Sequence, residues 1–136
     1  MFGSKGPSDR RELALPTIIL WGARFAFLSA LVILTVLALL SNQNMDDVGQ
    51  LIPWDKASHF IAYFVLTCIG LVAWPRLSVL RLGGLVFVYG LGLELVQPIF
   101  GREQDIGDLI ANGIGILSAC GPLFLGWLRR ALEEHG

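Results

Sequence analysis

The chain has 136 residues, of which 54% are hydrophobic and 15% charged, with a net charge of −1 and a mean hydropathy of +0.66. Soluble domains carry about 25% charged residues, so the composition argues against a soluble enzyme, a disordered chain and a nucleic-acid binder with a basic face. Cys68 and Cys120 lie inside apolar runs. They are too few for a disulfide framework and read as small packing residues.

A membrane-spanning helix needs about 20 mostly apolar residues, and four segments qualify. Residues 1–16 are expected to form a cytoplasmic tail, loose over the polar residues 1–12 with Gly3, Gly6 and Pro7. Span one runs from Thr17 to Leu40, with Arg24 as its charge, read as a snorkelling side chain that marks the inner side. The segment that follows, Ser41-Asn42-Gln43-Asn44, is a poor cleavage site, so span one reads as an anchor rather than a signal peptide. Span two runs from Ala57 to Trp74, span three from Leu80 to Val96 and span four from Ile106 to Leu128. Pro122 is expected to kink span four. Ala111, Gly115 and Ala119 recur there at every fourth position, which lets helix backbones approach closely, within the monomer or between copies in a homo-oligomer. Residues 129–136 form a short charged tail.

Lipid offers no partner for backbone N–H and C=O groups, so the spans must be helices. The short links make sequential helices neighbours that run in opposite directions. The expected fold is an all-α integral membrane protein, an antiparallel bundle of four transmembrane helices over residues 17–128. Orientation follows from lysine and arginine. One side holds Lys5, Arg10, Arg11, Arg24, Arg76, Arg81, Arg129 and Arg130, the other Lys56 and Arg102. Both termini are therefore expected in the cytoplasm. Trp21, Trp74 and Trp127 fall at the inner boundary and Trp54 at the outer one, as an aromatic belt requires.

The polar residues inside the spans gather near the outer end. Lys56, His59 and Tyr63 share one helix face by their spacing, and Asp55 before them can cap the helix. Glu94 and Gln97 share a face at the end of span three. Glu94 lies about one turn, roughly 5 Å, below the outer end, where a carboxylate should face protein or a wet cavity rather than lipid. Span four opens with Asp105, Asp108 and Asn112 on one face, after Arg102 in the link. If the three stripes point inward, they form a polar pocket open to the outside. Each residue also has a plainer role. The aspartates can be caps, Lys56 can snorkel, Tyr63 can pack, and Asn112 and Gln97 can be inter-helix hydrogen-bond glue.

Taken together, Asp55-Lys56-x-x-His59-x-x-x-Tyr63, Glu94-x-x-Gln97 and Arg102-x5-Asp108-x3-Asn112-x2-Gly115 resemble the VanZ-like family, over roughly half the chain. The resemblance implies a small multi-pass protein of the bacterial cytoplasmic (inner) membrane. The family's founding members are linked to reduced susceptibility to the glycopeptide teicoplanin. It implies no biochemical activity. The chain departs from the family pattern at Ala119, where a second glycine is usual, at Gly113, where threonine or a similar residue is common, and at Asp105, where a small or hydroxyl residue stands.

Four carboxylates, Asp55, Glu94, Asp105 and Asp108, against Lys56 and Arg102 leave the pocket at −2 with a neutral histidine. A simple phosphate site should be positive. Asp55 and Asp105 acting only as caps, a proton on Glu94, or a divalent cation among the carboxylates would each resolve this. No cofactor is assigned and no metal motif of recognised spacing is present, although His59 with Glu94 and Asp108 could ligate a divalent cation. The leading expectation is a binding site for an envelope lipid or glycopeptide precursor head group, held by Asp55, Lys56, His59, Tyr63, Glu94, Gln97, Arg102, Asp108 and Asn112. Partners are then membrane lipids rather than nucleic acid. One alternative is an enzyme acting on envelope precursors, with His59 and Glu94 as catalytic acid and base. Others are a small transporter subunit and a purely structural bundle lock.

Overall fold

The computed structural model describes residues 7–40, 54–101 and 104–134. All of its regular structure is helical: α1 (Pro7–Leu40), α2 (Trp54–Ala73), α3 (Val79–Val96), a 3-10 turn (Gln97–Phe100) and α4 (Ile106–Glu133). Each of the four long helices contains a stretch long and apolar enough to cross a membrane, over Pro16–Leu39, Lys56–Ala73, Val79–Phe100 and Ile106–Glu133. The starts agree with the sequence reading to within a residue. Two ends run further, because the 3-10 turn extends the third apolar stretch and α4 continues past Leu128.

The expected loose tail is helical from Pro7. Proline fits the first helical position because its missing N–H is not needed there and its φ is already helical. α4 passes through Pro122 as one helix, although proline gives the Ser118 carbonyl no N–H partner. α3 starts at a Ser78 cap, whose hydroxyl accepts the Arg81 N–H. The 3-10 turn ends at Gly101, whose φ of 80° is left-handed and suits glycine.

α2 is the hub. It packs most extensively on α4 and next on α1, while α3 packs mainly on α4. The contact face of α4 carries Asp108, Ala111, Asn112, Gly115, Ile116, Ala119 and Cys120, all buried. A Cβ at Gly115 would collide with the Phe60 carbonyl oxygen and lie 3.1 Å from the Phe64 nitrogen. Glycine is therefore what lets the two backbones meet. The apolar core beneath the polar end joins Phe27, Leu66, Leu82, Val86 and Ile116. Both cysteines are free thiols. Cys120 is buried and its Sγ donates to the Val79 carbonyl at 3.8 Å.

α1 attaches through few buried residues, of which Phe27 is one. Its outward face leaves Ile18, Phe25, Leu28, Val32, Ile33 and Leu37 more than half exposed. Two polar anchors hold it. The Arg24 Nε donates to the Ala73 carbonyl at 3.2 Å, supplying the end of α2 with a donor its helix lacks. The same guanidinium lies 5.1 Å from the Trp21 ring and 6.0 Å from the Trp74 ring, within reach for cation–π attraction. Arg24 is thus a tether between helices as well as a positive charge near one end. Further along, the Leu31 carbonyl accepts from Thr35 at 2.8 Å and from the Tyr89 hydroxyl at 2.9 Å.

Candidate functional site

The polar residues of α2, α3 and α4 meet at one end of the bundle. His59 lies one turn or so into α2, Asp108 and Asn112 in the first two turns of α4, and Glu94 in the last turn of α3. Donor atoms of His59, Glu94 and Asp108 lie within 4.8 Å of one another. Three helices therefore each contribute one side chain to a single point.

The imidazole is oriented from both sides. Its Nδ1 lies 3.0 Å from the Asn112 Oδ1. An amide oxygen only accepts, so Nδ1 carries the hydrogen and donates. Its Nε2 faces the Asp108 Oδ2 at 3.6 Å. Asn112 is 1% and Asp108 4% exposed, and Glu94 is 6% exposed. These are very low values for side chains whose burial is costly unless they are well partnered.

Beside this cluster lies a cavity of about 270 Å³. His59, Tyr63, Glu94 and Gln97 supply its polar lining, and Leu34, Leu37, Ala62 and Leu93 are among its apolar residues. The apolar wall includes α1, and the polar lining comes from α2, α3 and the 3-10 turn. Gly90 leaves room for Tyr63, since a Cβ there would come within 2.9 Å of its ring. Gln97, which shares the Glu94 face at the end of span three, opens the 3-10 turn. It is 2% exposed, so the turn carries it back into the bundle. Gln104 closes over the same end, its Nε2 donating to the Glu94 carbonyl at 3.3 Å.

The remaining candidates fall elsewhere. Lys56 sits at the rim, its Nζ 3.4 Å from the Asp105 Oδ2, with both side chains about half exposed. Asp105 is the cap of α4: its Oδ1 accepts the Gly107 N–H at 2.7 Å. That bond, aided by the nearby Lys56 ammonium, holds the Asp105 carboxyl below the usual aspartate range. The expectation that Asp55 caps α2 is corrected. The described helix begins at Trp54, which places Asp55 inside the first turn. The side chain of Asp55 and the whole of Arg102 lie outside the described residues.

The structure thus brings together His59, Tyr63, Glu94, Gln97, Asp108 and Asn112, and sets Lys56 and Asp105 apart as a surface pair. Sequence reasoning missed Ser58 as a cavity residue, because it does not share the Lys56–His59–Tyr63 stripe. It also missed the Arg24 tether, although Trp21 one helical turn before Arg24 was a legible signal for it.

Compared with models of protein families, with curated proteins and with solved structures, the chain matches none.

Proposed function

We propose that the chain is a multi-pass protein of a bacterial inner membrane, and that its cavity binds the head group of an envelope lipid or of a related glycopeptide precursor. In this reading the helices form an antiparallel bundle, both termini are cytoplasmic and the cavity faces outward. The observation that carries it is the two-sided lining of the cavity, with aliphatic side chains from α1 on one wall and His59, Tyr63, Glu94 and Gln97 on the other. An amphipathic lipid needs such a pairing of an apolar slot with a few converging polar groups. The broad apolar exterior supports membrane insertion, since contiguous apolar patches on this scale are rare in water. The lysine and arginine asymmetry supports the orientation. The resemblance of the motif set to the VanZ-like family supports the envelope setting.

The test is thermal stability of the purified protein in detergent with undecaprenyl-linked lipids, common phospholipids and a glycopeptide, beside Glu94→Gln and Arg102→Ala. A ligand-dependent stabilisation that both variants lose is expected. No stabilisation by any of them, with both variants strongly destabilised, would instead make the cluster a structural lock.

A second reading draws on the orientation of His59. An imidazole fixed by Asn112 and facing a carboxylate is arranged as a general base, with Glu94 as the partnering acid. Turnover of an envelope precursor that survives both His59→Ala and Glu94→Ala would remove that role.

A further inference from the structure

We propose that His59, Glu94 and Asp108 hold a divalent metal ion of the zinc class, whose open coordination position takes a phosphate or carboxylate oxygen of the ligand in the adjoining cavity. This deepens the head-group reading and rests on it for the second half of the statement.

The donor set carries the first step. One imidazole and two carboxylates from three separate helices place their ligand atoms within 4.8 Å of one another. Magnesium and calcium call for six or more oxygen ligands, whereas zinc accepts imidazole and carboxylate together. Three protein ligands plus one exchangeable position is the pattern of zinc sites that act on a ligand, and four protein ligands that of structural ones.

Spacing carries the second step. The His59 Nε2 and the Asp108 Oδ2 stand 3.6 Å apart, longer than the upper limit of about 3.2 Å for an ordinary N–H···O bond. Two donors bound at about 2.0–2.1 Å around a tetrahedral ion stand about 3.4 Å apart. The pair is already near the separation that a shared ion requires.

The third step is orientation. A metal-bound histidine almost always donates its other ring N–H to a carbonyl or carboxylate, which fixes the tautomer. Here Nδ1 donates to the Asn112 Oδ1 at 3.0 Å, so in the neutral imidazole that a metal binds, the Nε2 lone pair is the one directed at Asp108. Asn112 is nearly fully buried and is therefore a rigid support for the ring. Charge agrees: with a neutral imidazole, two carboxylates sum to −2, and a divalent ion brings the site to zero. His59 and Glu94 line the cavity as well as the cluster, so a phosphate seated there would neighbour the ion. This removes the difficulty that a pocket rich in carboxylates poses for an anionic head group.

The experiment uses the full chain purified in detergent and stripped with a chelator. Zinc content is measured after reloading and dialysis, and cobalt(II) serves as a visible-absorption probe. The wild type is expected to retain one equivalent of zinc and to show cobalt d–d bands that zinc displaces. His59→Gln and Asp108→Asn, confirmed as folded by circular dichroism, should lose the bands. Asn112→Leu, which keeps all three donors, should weaken binding about 10–100-fold. A variant of the chain's second histidine, His135→Ala, should bind as the wild type does. Wild-type protein that retains neither ion overturns the assignment whatever the variants do, and so does binding unchanged in both ligand variants. Undecaprenyl phosphate and inorganic phosphate are then added with and without zinc. Lipid stabilisation that is equal without zinc refutes the metal inference and leaves the head-group reading standing. Zinc retention with no stabilisation by either phosphate refutes the head-group reading and leaves the metal site standing.

Discussion

Gly115→Ala should separate α2 from α4 and disable the site at the same time. The added methyl meets two backbone atoms, the Phe60 oxygen and the Phe64 nitrogen, and backbone cannot rotate away. A carbon–oxygen contact relaxes to about 3.3–3.6 Å, so the helices must part by roughly an ångström. The His59–Asn112 bond, now 3.0 Å, would then exceed the limit of about 3.2 Å. Overpacking costs about 1–3 kcal/mol and an inter-helix hydrogen bond in a membrane averages about 0.6 kcal/mol, giving about 2–4 kcal/mol in all. Gly121→Ala is the control. It lies on the same helix and its Cβ would meet nothing within 4 Å, so it should gain up to about 1 kcal/mol from helix propensity. The propensity gain is common to both variants, so thermal and denaturant unfolding in detergent, followed by tryptophan fluorescence, should separate them by about 2–4 kcal/mol. Equal stability would refute the close approach of α2 and α4.

Tyr89→Phe removes a hydroxyl that donates to the Leu31 carbonyl and contacts Thr35 at 2.8 Å; the same unfolding assay should show a loss of about 0.6 kcal/mol and under 2 kcal/mol, and a larger loss would mean that α1 has moved. Asp105→Ala should destabilise the protein at neutral pH. Because the folded carboxyl titrates below its usual value of 3.8, the contribution of its charged form is complete above the unfolded value and fades as pH falls through the folded one; unfolding curves of both proteins from pH 7 to pH 2 should converge at the acid end. In a background with Cys68 and Cys120 replaced by alanine, a cysteine at Ser78 should react with a membrane-impermeant reagent only from the cytoplasmic side, and one at Gln104 only from the outside. Labelling of both from the same side would overturn the antiparallel arrangement.

The four long apolar helices were legible because twenty or so apolar residues in a row have few other readings. The polar stripes were legible for a related reason: a residue such as Glu94 inside an apolar run must face protein or a wet cavity, and helical spacing says which neighbours share its face. What spacing does not fix is rotation and depth. Lys56, His59 and Tyr63 fall on one stripe, yet Lys56 ends at the rim with Asp105 while His59 and Tyr63 turn inward. The difference is depth, since Lys56 opens the apolar stretch of α2 and its flexible stem can carry the ammonium to the surface. Gln97 shares the face of Glu94 as its spacing suggests and is buried against the same cavity; Pro98 signals the end of the helix, but not that the glutamine opens a 3-10 turn.

The arrangement of α4 explains why packing and site are inseparable in this fold. Along one face, Asp108 and Asn112 come first, then Gly115, and after it Ala119. The small residues bring the backbone of α4 against α2 at Phe60, immediately after His59 in the chain. At that distance an asparagine on α4 reaches the ring of a histidine on α2 without a water between them. A larger residue at Gly115 would lengthen every polar contact one turn above it. The stripe that holds the bundle together therefore also sets the spacing of the cluster. Substitutions along it should shift stability and ligand binding together, whereas changes on the exposed side of α4, such as Ile114→Leu or Leu117→Ile, should leave both nearly unchanged.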